Sequence, residues 1–527
     1  MVPMHVLVPG TEPSSWFRFA LKILLAGLLI SAPVLALNGF PLTFDDTPGY
    51  LEPAYNILHR AVPPAWMPPA DLASDPASHG PASPNIFFLR PFGYMVLLVP
   101  FASALGLWLI PLAQGVLAAL IIHAALVTAR APRHWALFFG IVAVLALTTS
   151  LPLHVATIMP DVFTGLVILL VYVNVFQWRA LPIPARLIGV ATLTALATIH
   201  LSHLAILAGM VAALGLWSAW KDRGRLLPIA GGVLLPLVLA VGLLMTSNLL
   251  TAGRPVVSES SPVFLLARLI GDGPARDYLK DACPTHAYLL CDRLDTLDRS
   301  APGYPTSDYF LWHPDGARRH FGDTPRFVEE AAEIAHQTIA TRPLEVVSHG
   351  LYNTAAQLFH VQLDDTLTDP VKPLTRRLFS RFPSGDYDAF DRSLQTRQAF
   401  PRDVLDLVQD IALAVAIAAL LTGAVRRRGR IDERVKALLS VIGLGLMLNA
   451  AVTGGLSAVH DRYQNRVIWL IPFAAMVVLA TARSRDASAA GRRRYGSGWN
   501  LPPQVGAGTP VVEGTLNGSP SRLRTAR

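Results

Sequence analysis

Apolar runs of about 20 residues recur from one end of this chain to the other, and they constrain its fold more than any other feature. At 1.5 Å per residue, a helix of that length crosses a hydrocarbon core. A membrane β-barrel needs alternating segments of ~10 residues instead. Of the 527 residues, 52% are hydrophobic and 15% charged, and mean hydropathy is +0.43, too apolar for a water-soluble protein of this size. The runs predict helices at about 17–37, 107–129, 136–153, 161–178, 187–200, 204–220, 226–249, 404–425, 437–456 and 467–483. The expected fold class is an all-α polytopic membrane protein with about ten transmembrane helices. The first run carries Arg18 and Lys22 at its start, as a signal peptide would. Its length and the nine spans after it favour a retained first helix.

The loops between the runs sort by charge. "RAPRHW" (130–135), "RALPIPAR" (179–186), "KDRGR" (221–225) and "RRRGRIDERVK" (426–436) are short and basic, and they alternate with loops that are not. With ten spans all four fall on one side, together with the Arg-rich tail, which makes that side cytoplasmic and puts both termini inside. The net charge of +8 is mostly this tail, where eight Arg face two acids from 483 on, plus the basic loops. It is therefore an orientation signal rather than a nucleic-acid footprint, and no nucleic-acid partner is expected.

The expected domains are an N-terminal membrane module, 1–249, with a first outer loop at 38–106; a small, mostly helical periplasmic domain, 250–403; the C-terminal transmembrane helices, 404–483; and a disordered basic tail, 484–527. Within the first loop, 51–61 has helical spacing. The stretch 91–106 is apolar but interrupted by Gly93 and Pro100. A span there would turn the basic loops outward, so it reads as a surface-lying or re-entrant helix. In the second outer segment, 325–341 and 344–362 look like amphipathic helices broken at Pro343. Cys283 and Cys291 are the only cysteines. They lie eight positions apart on the outer side, where a local disulfide forms readily.

The outer turns hold these polar residues: Asp45 and Asp46 in the first loop; His154 and Asp161 between helices 3 and 4; His200, Ser202 and His203 between helices 5 and 6; and His460, Asp461, Arg462, Tyr463 and Arg466 before the last helix. Charges near membrane depth are costly and mark functional sites more often than chance. A carboxylate can take a proton from a hydroxyl or hold a metal, and a guanidinium fork matches phosphate oxygens. Acids on two loops and cations on a third suit transfer from a lipid-phosphate donor. Each residue also has a plainer reading. Asp46 could cap a helix near Gly49, Asp161 could sit at a helix start for the dipole, and the arginines could anchor head groups. His200, His203 and His460 could be interfacial polar residues. "GLGLMLNAAVTGG" (443–455) reads as close helix packing.

The segments "FDDTPGYLEPA" (44–54), "RPFGY" (90–94), "PDVFTGL" (160–166) and "HDRYQNRVIWLIP" (460–472) occur in an order and sidedness that resemble the GT-C superfamily. These are polyprenyl-phosphate-sugar-dependent membrane glycosyltransferases, including protein O-mannosyltransferases and aminoarabinose transferases. The resemblance covers the membrane portion to about residue 250 and the last two helices. It implies an inverting hexosyl- or pentosyl-transferase in a bacterial inner membrane. The donor would be a polyprenyl-phosphate-linked sugar, and the acceptor a lipid, glycan or protein of the envelope. It further implies catalytic roles for Asp45 or Asp46 and for Asp161, and donor-phosphate contacts from Arg462, Arg466, Tyr463 and Arg90. Where several relatives have a lysine between helices 5 and 6, this chain has His200 and His203 as accessory candidates, with His460 a third. No cofactor is implied with certainty, although adjacent carboxylates could hold a divalent metal. An O-antigen-type ligase or polymerase would use Arg318, Arg319 and His320 of the large loop. A lipid-linked-sugar transporter or flippase would bury charges mid-span, and the only span acids are the end-lying Asp406 and Asp410.

Overall fold

The computed structural model describes residues 13–61, 89–102, 106–132, 134–367, 373–380, 382, 384–426 and 431–495. Residues 62–88 of the first outer loop, residues 427–430 of the basic loop 426–436 and the tail beyond 495 lie outside them. The last helix, Leu470–Tyr495, continues past the position where the sequence reading starts the tail.

The protein is all-α and multi-pass. Each of the ten expected spans is found as helix, and among the described residues the only β pairings are the isolated bridges Leu42–Thr157 and Ala301–Tyr304. Seven described helices are long and apolar enough to cross a membrane. Trp135–Thr148, Val162–Gln177 and Ile183–Ile199 are apolar but shorter. The stretch after Arg90 forms only Phe92–Phe101. Ten residues reach about 15 Å, half a hydrocarbon core, so it does not span.

Breaks in the helices have chemical causes. The expected helix 136–153 divides at Thr149, which is extended (φ −134°, ψ 170°), and resumes as Leu151–Ala156. Pro152 lacks the amide that would continue the ladder. A π-helical turn, Ala230–Leu234, precedes Pro236. The Gly232 carbonyl that Pro236 cannot meet accepts from Asn174 Nδ2 at 3.0 Å, which keeps a freed polar group satisfied inside the bundle.

Val162–Gln177 is the central helix. It is apolar all round and buried from Val162 to Phe176. It touches Leu109–Thr128, Ile183–Ile199, Glu433–Leu456 and Asp461–Ile468. Gly165 permits the last of these contacts, because a Cβ there would sit 2.8 Å from the buried Trp469 ring. The first loop is stitched to the turn just before this helix. Leu42 N donates to Ala156 O, and Ile158 N to Leu42 O, both at 2.9 Å; Thr47 Oγ1 donates to Ile158 O at 3.1 Å. Gln114 Nε2 holds the same turn through Val155 O and Thr157 O (2.8 and 3.0 Å) and accepts from Tyr94 through Oε1. Those few bonds place residues 44–46 beside Asp161.

The long segment after residue 250 has two packing partners. Helices Ser261–Asp272, Pro274–Ala282, Thr306–Trp312 and Pro325–Thr341 enclose an apolar core of their own, around Leu266, Ile270, Phe310 and Phe327. Cys283 and Cys291 are disulfide-bonded at its rim, as their spacing predicted. Phe379 and Phe390 instead join the membrane core against Phe40.

Candidate active site

The last span begins earlier than its hydropathy suggests. Residues 461–468, expected as a turn, are helical, so Arg462 and Arg466 project from its first two turns. Four residues apart, they lie on one helix face. That face is turned to Asp161, the residue preceding the central helix. Arg466 Nη1 is 3.3 Å and Arg462 Nε 3.9 Å from Asp161 Oδ1. Asp161 makes no side-chain capping bond, so it contributes a negative charge at a helix N-terminus and an ion pair together.

Asp46 completes the cluster. Its Oδ1 is ion-paired with Arg90, and its Oδ2 lies 3.9 Å from Arg462 Nη2. It directly precedes the helix Thr47–Ala61, and its ion-pair partners are guanidinium groups. Asp45 is half-buried beside it. The Arg462 guanidinium stacks 3.8 Å over the Phe44 ring, and the Tyr463 ring lies 5.4 and 5.3 Å from Arg462 and Arg466. Arg90 sits 5.7 Å from the Tyr50 ring. Gly93, in the same segment, packs against the Thr198 backbone so closely that a Cβ would come within 2.6 Å of its carbonyl oxygen. Three guanidinium groups thus face Asp46 and Asp161 in a buried setting. Arg462 Nη1 and Arg466 Nε are buried without a hydrogen-bond partner. Buried donors are nearly always bonded, so these two nitrogens are unsatisfied donors of the cluster.

One residue here escapes sequence reasoning. Asn449 Oδ1 accepts from Arg466 Nη2 at 3.0 Å, while its Nδ2 donates to Tyr463 O and Gln464 Oε1 (2.7 and 2.9 Å). It lies in the stretch read as glycine packing, and the packing is real, since a Cβ on Gly445 would come within 2.7 Å of Ile168. A lone amide in an apolar helix was the available signal. Ser202 Oγ accepts from Arg466 Nη2 at 3.3 Å.

The histidines divide. His203 is fully buried; Nδ1 donates to Leu196 O (2.7 Å), leaving Nε2 to accept from Thr164 Oγ1 (3.0 Å). That is a packing role. His200 caps Leu201–Lys221, accepting at Nδ1 from Ser202 N, and its ring also bonds Ser202 Oγ (2.8 Å), one step from Arg466. His154 bonds Asn465 at 2.8 Å.

His460 links the site to the long segment. Its Nε2 lies 3.3 Å from Asp308 and its Nδ1 3.1 Å from Asp365, and Asp461 N donates to the same Asp365 oxygen at 3.0 Å. Burial alone would lower the His460 pKa, but the bonds to Asp308 and Asp365 hold it at about 10, against 6.5 for an ordinary histidine. A raised folded-state pKa stabilises the fold fully below the unfolded value. The contribution is then lost as pH climbs from about 6.5 through about 10. Wild type is therefore expected to lose thermal stability across that window, measured by unfolding in detergent. His460→Gln should show a flatter profile there; an equal slope in the variant would assign the loss to other groups.

Arg318, one of the three residues a ligase would use, is buried in a two-point ion pair with Asp323 (2.8 and 2.7 Å) and packs on Trp312. Asp406 and Asp410 bond backbone and side chain at residues 362–363. Among the described residues, no cluster of three or more His, Cys, Asp or Glu is arranged to hold a metal.

No family model matches the sequence, and no curated protein does. Among solved structures, the crystal structure of ArnT from Cupriavidus metallidurans bound to undecaprenyl phosphate is similar over 92% of this chain and 80% of that chain, at 16% identity and a TM-score of 0.30, a superposition too loose to bear on fold or function.

Proposed function

We propose that this protein is a GT-C-type membrane glycosyltransferase that moves a sugar from a polyprenyl-phosphate donor to an envelope acceptor. The reading places the protein in a bacterial inner membrane, with both termini cytoplasmic and the site at the periplasmic face. The observation that carries it is the buried cluster of Arg462 and Arg466, held by Asp161 and Asp46, with two guanidinium nitrogens unbonded. Such a site takes the phosphate of a lipid-linked donor, with Tyr463 and Arg90 at its edge.

Asp45 is assigned the proton. Asp46 already turns both oxygens to arginines, so it acts as the residue that holds Arg90 and Arg462 in place. The acceptor hydroxyl loses its proton to the Asp45 carboxylate as its oxygen bonds to the anomeric carbon. The bond from that carbon to the phosphate oxygen breaks, and polyprenyl phosphate leaves with its electron pair. One displacement inverts the anomeric configuration. The arginines offset the charge that grows on the leaving phosphate.

Of the three residues a ligase would use, Arg318 is committed to Asp323. The test is transfer of label in membranes supplied with radiolabelled polyprenyl-phosphate sugars. Label reaching an acceptor only when this chain is expressed supports the proposal; no transfer from any donor refutes it.

A further inference from the structure

Helix Pro343–Gln357 is built inside out. Leu344, Val347 and Leu351 recur at three and four residues, and are 84%, 58% and 67% exposed; Tyr352 is 73% and the following Phe359 83% exposed. Asn353 and Gln357 turn inward, while Glu345 and Ser348, nearer the start of the helix, are exposed. Buried Asn353 donates to Asp272 at 3.0 Å. Buried Gln357 donates to His460 O at 2.7 Å and accepts from His460 N at 3.0 Å. The sequence pattern promised an ordinary amphipathic helix, and over the C-terminal half the polarity is the reverse of what water selects.

The helix lies along Glu433–Leu456, which is apolar and long enough to cross a membrane. The approach is close: a Cβ on Gly454 would fall 2.6 Å from Asn353 O. Met447 and Leu456 of that helix are exposed as well. The chain then turns through 358–363, and side chains from two membrane-length helices meet its polar groups. Val361 O accepts from Gln409 Nε2 (2.8 Å) and from Asn465 Nδ2. Leu363 N donates to Asp406 (3.0 Å), Gln362 N to Asp461 (3.2 Å) and Gln362 Nε2 to Asp410 (3.3 Å). Asp410 is about 12 Å along the helix that starts at Arg402, whose Val404, Leu407 and Ile411 are exposed. Non-helical backbone at membrane depth is tolerated only where protein groups satisfy it, and here they do.

We infer that residues 343–363 form a re-entrant membrane element, with Leu344, Val347, Leu351, Tyr352 and Phe359 seated against lipid acyl chains. The exposed stripe continues the lipid-facing surface of the helices it packs on. Asp406 and Asp410 serve this element by binding its turn. The long segment after residue 250 is thereby fastened in the bilayer.

The test uses full-length protein in phosphatidylcholine vesicles. The two native cysteines are disulfide-bonded, so an introduced cysteine is the only free thiol. Leu344→Cys, Val347→Cys and Leu351→Cys, and Asp298→Cys as a control on the exposed surface, are each labelled with an environment-sensitive fluorophore. Acyl-brominated phosphatidylcholine is expected to quench the three stripe positions severalfold more than position 298, and aqueous iodide the reverse. Iodide quenching on the stripe equal to that at 298 would put the helix in water and overturn the inference. Protection from both quenchers would overturn it too, by showing that protein, such as a second copy of the chain, covers the stripe.

Discussion

Asp45→Asn is expected to lower sugar transfer by about 10²–10⁴-fold, the usual worth of a positioned general base, with little change in expression or thermal stability. Asparagine keeps the shape of the side chain and loses the proton acceptor. The loss should fall in kcat, because Asp45 acts on the acceptor hydroxyl and donor phosphate contacts are left in place. Asp46→Asn is expected to behave differently. It weakens the hold on Arg90 and Arg462, so the donor KM should rise along with any loss of rate. Kinetics with a defined lipid-linked donor separate the two. Equal, full activity in both variants would remove the carboxylates from the mechanism.

Asp161→Ala is expected to cost about 3–5 kcal/mol of stability, the typical penalty for breaking a buried ion pair by removing one partner. Arg466 is fully buried, and Asp161 is the carboxylate nearest to it among its bonded partners, with Asn449 and Ser202 supplying neutral contacts only. Without Asp161, two guanidinium groups face each other across one helix turn. The double variant Asp161→Ala/Arg466→Met should recover part of the loss, since it removes the stranded charge. Thermal unfolding of purified protein checks both. A single variant within about 1 kcal/mol of wild type would mean that water reaches the pair and that the cluster is open rather than sealed.

Arg462 and Arg466 show how far local pattern carries. Four residues apart, they belong to one helix face whatever the fold, and the acids at 45, 46 and 161 stand where apolar runs end. Burying that face against a carboxylate is then the least costly way to fold the run that follows. The sequence stops short where the deciding partner is remote. Asp46 and Arg90 are joined across 43 intervening residues, many of them outside the described structure, and nothing local pairs them. Asn449 reads as one polar residue in a packing stretch until Arg466 is set beside it.

Hydropathy alone determined the helices, their approximate limits and the all-α, multi-pass class, because a hydrocarbon core imposes a length and forbids unsatisfied backbone. Cysteine spacing likewise anticipated the Cys283–Cys291 bond. Only the tertiary structure decided which way an amphipathic face points. Periodicity says that Leu344, Val347 and Leu351 share a side, but not whether that side meets a core or a lipid. The choice was made by Asn353 and Gln357 finding Asp272 and His460, long-range partners that a local pattern does not contain.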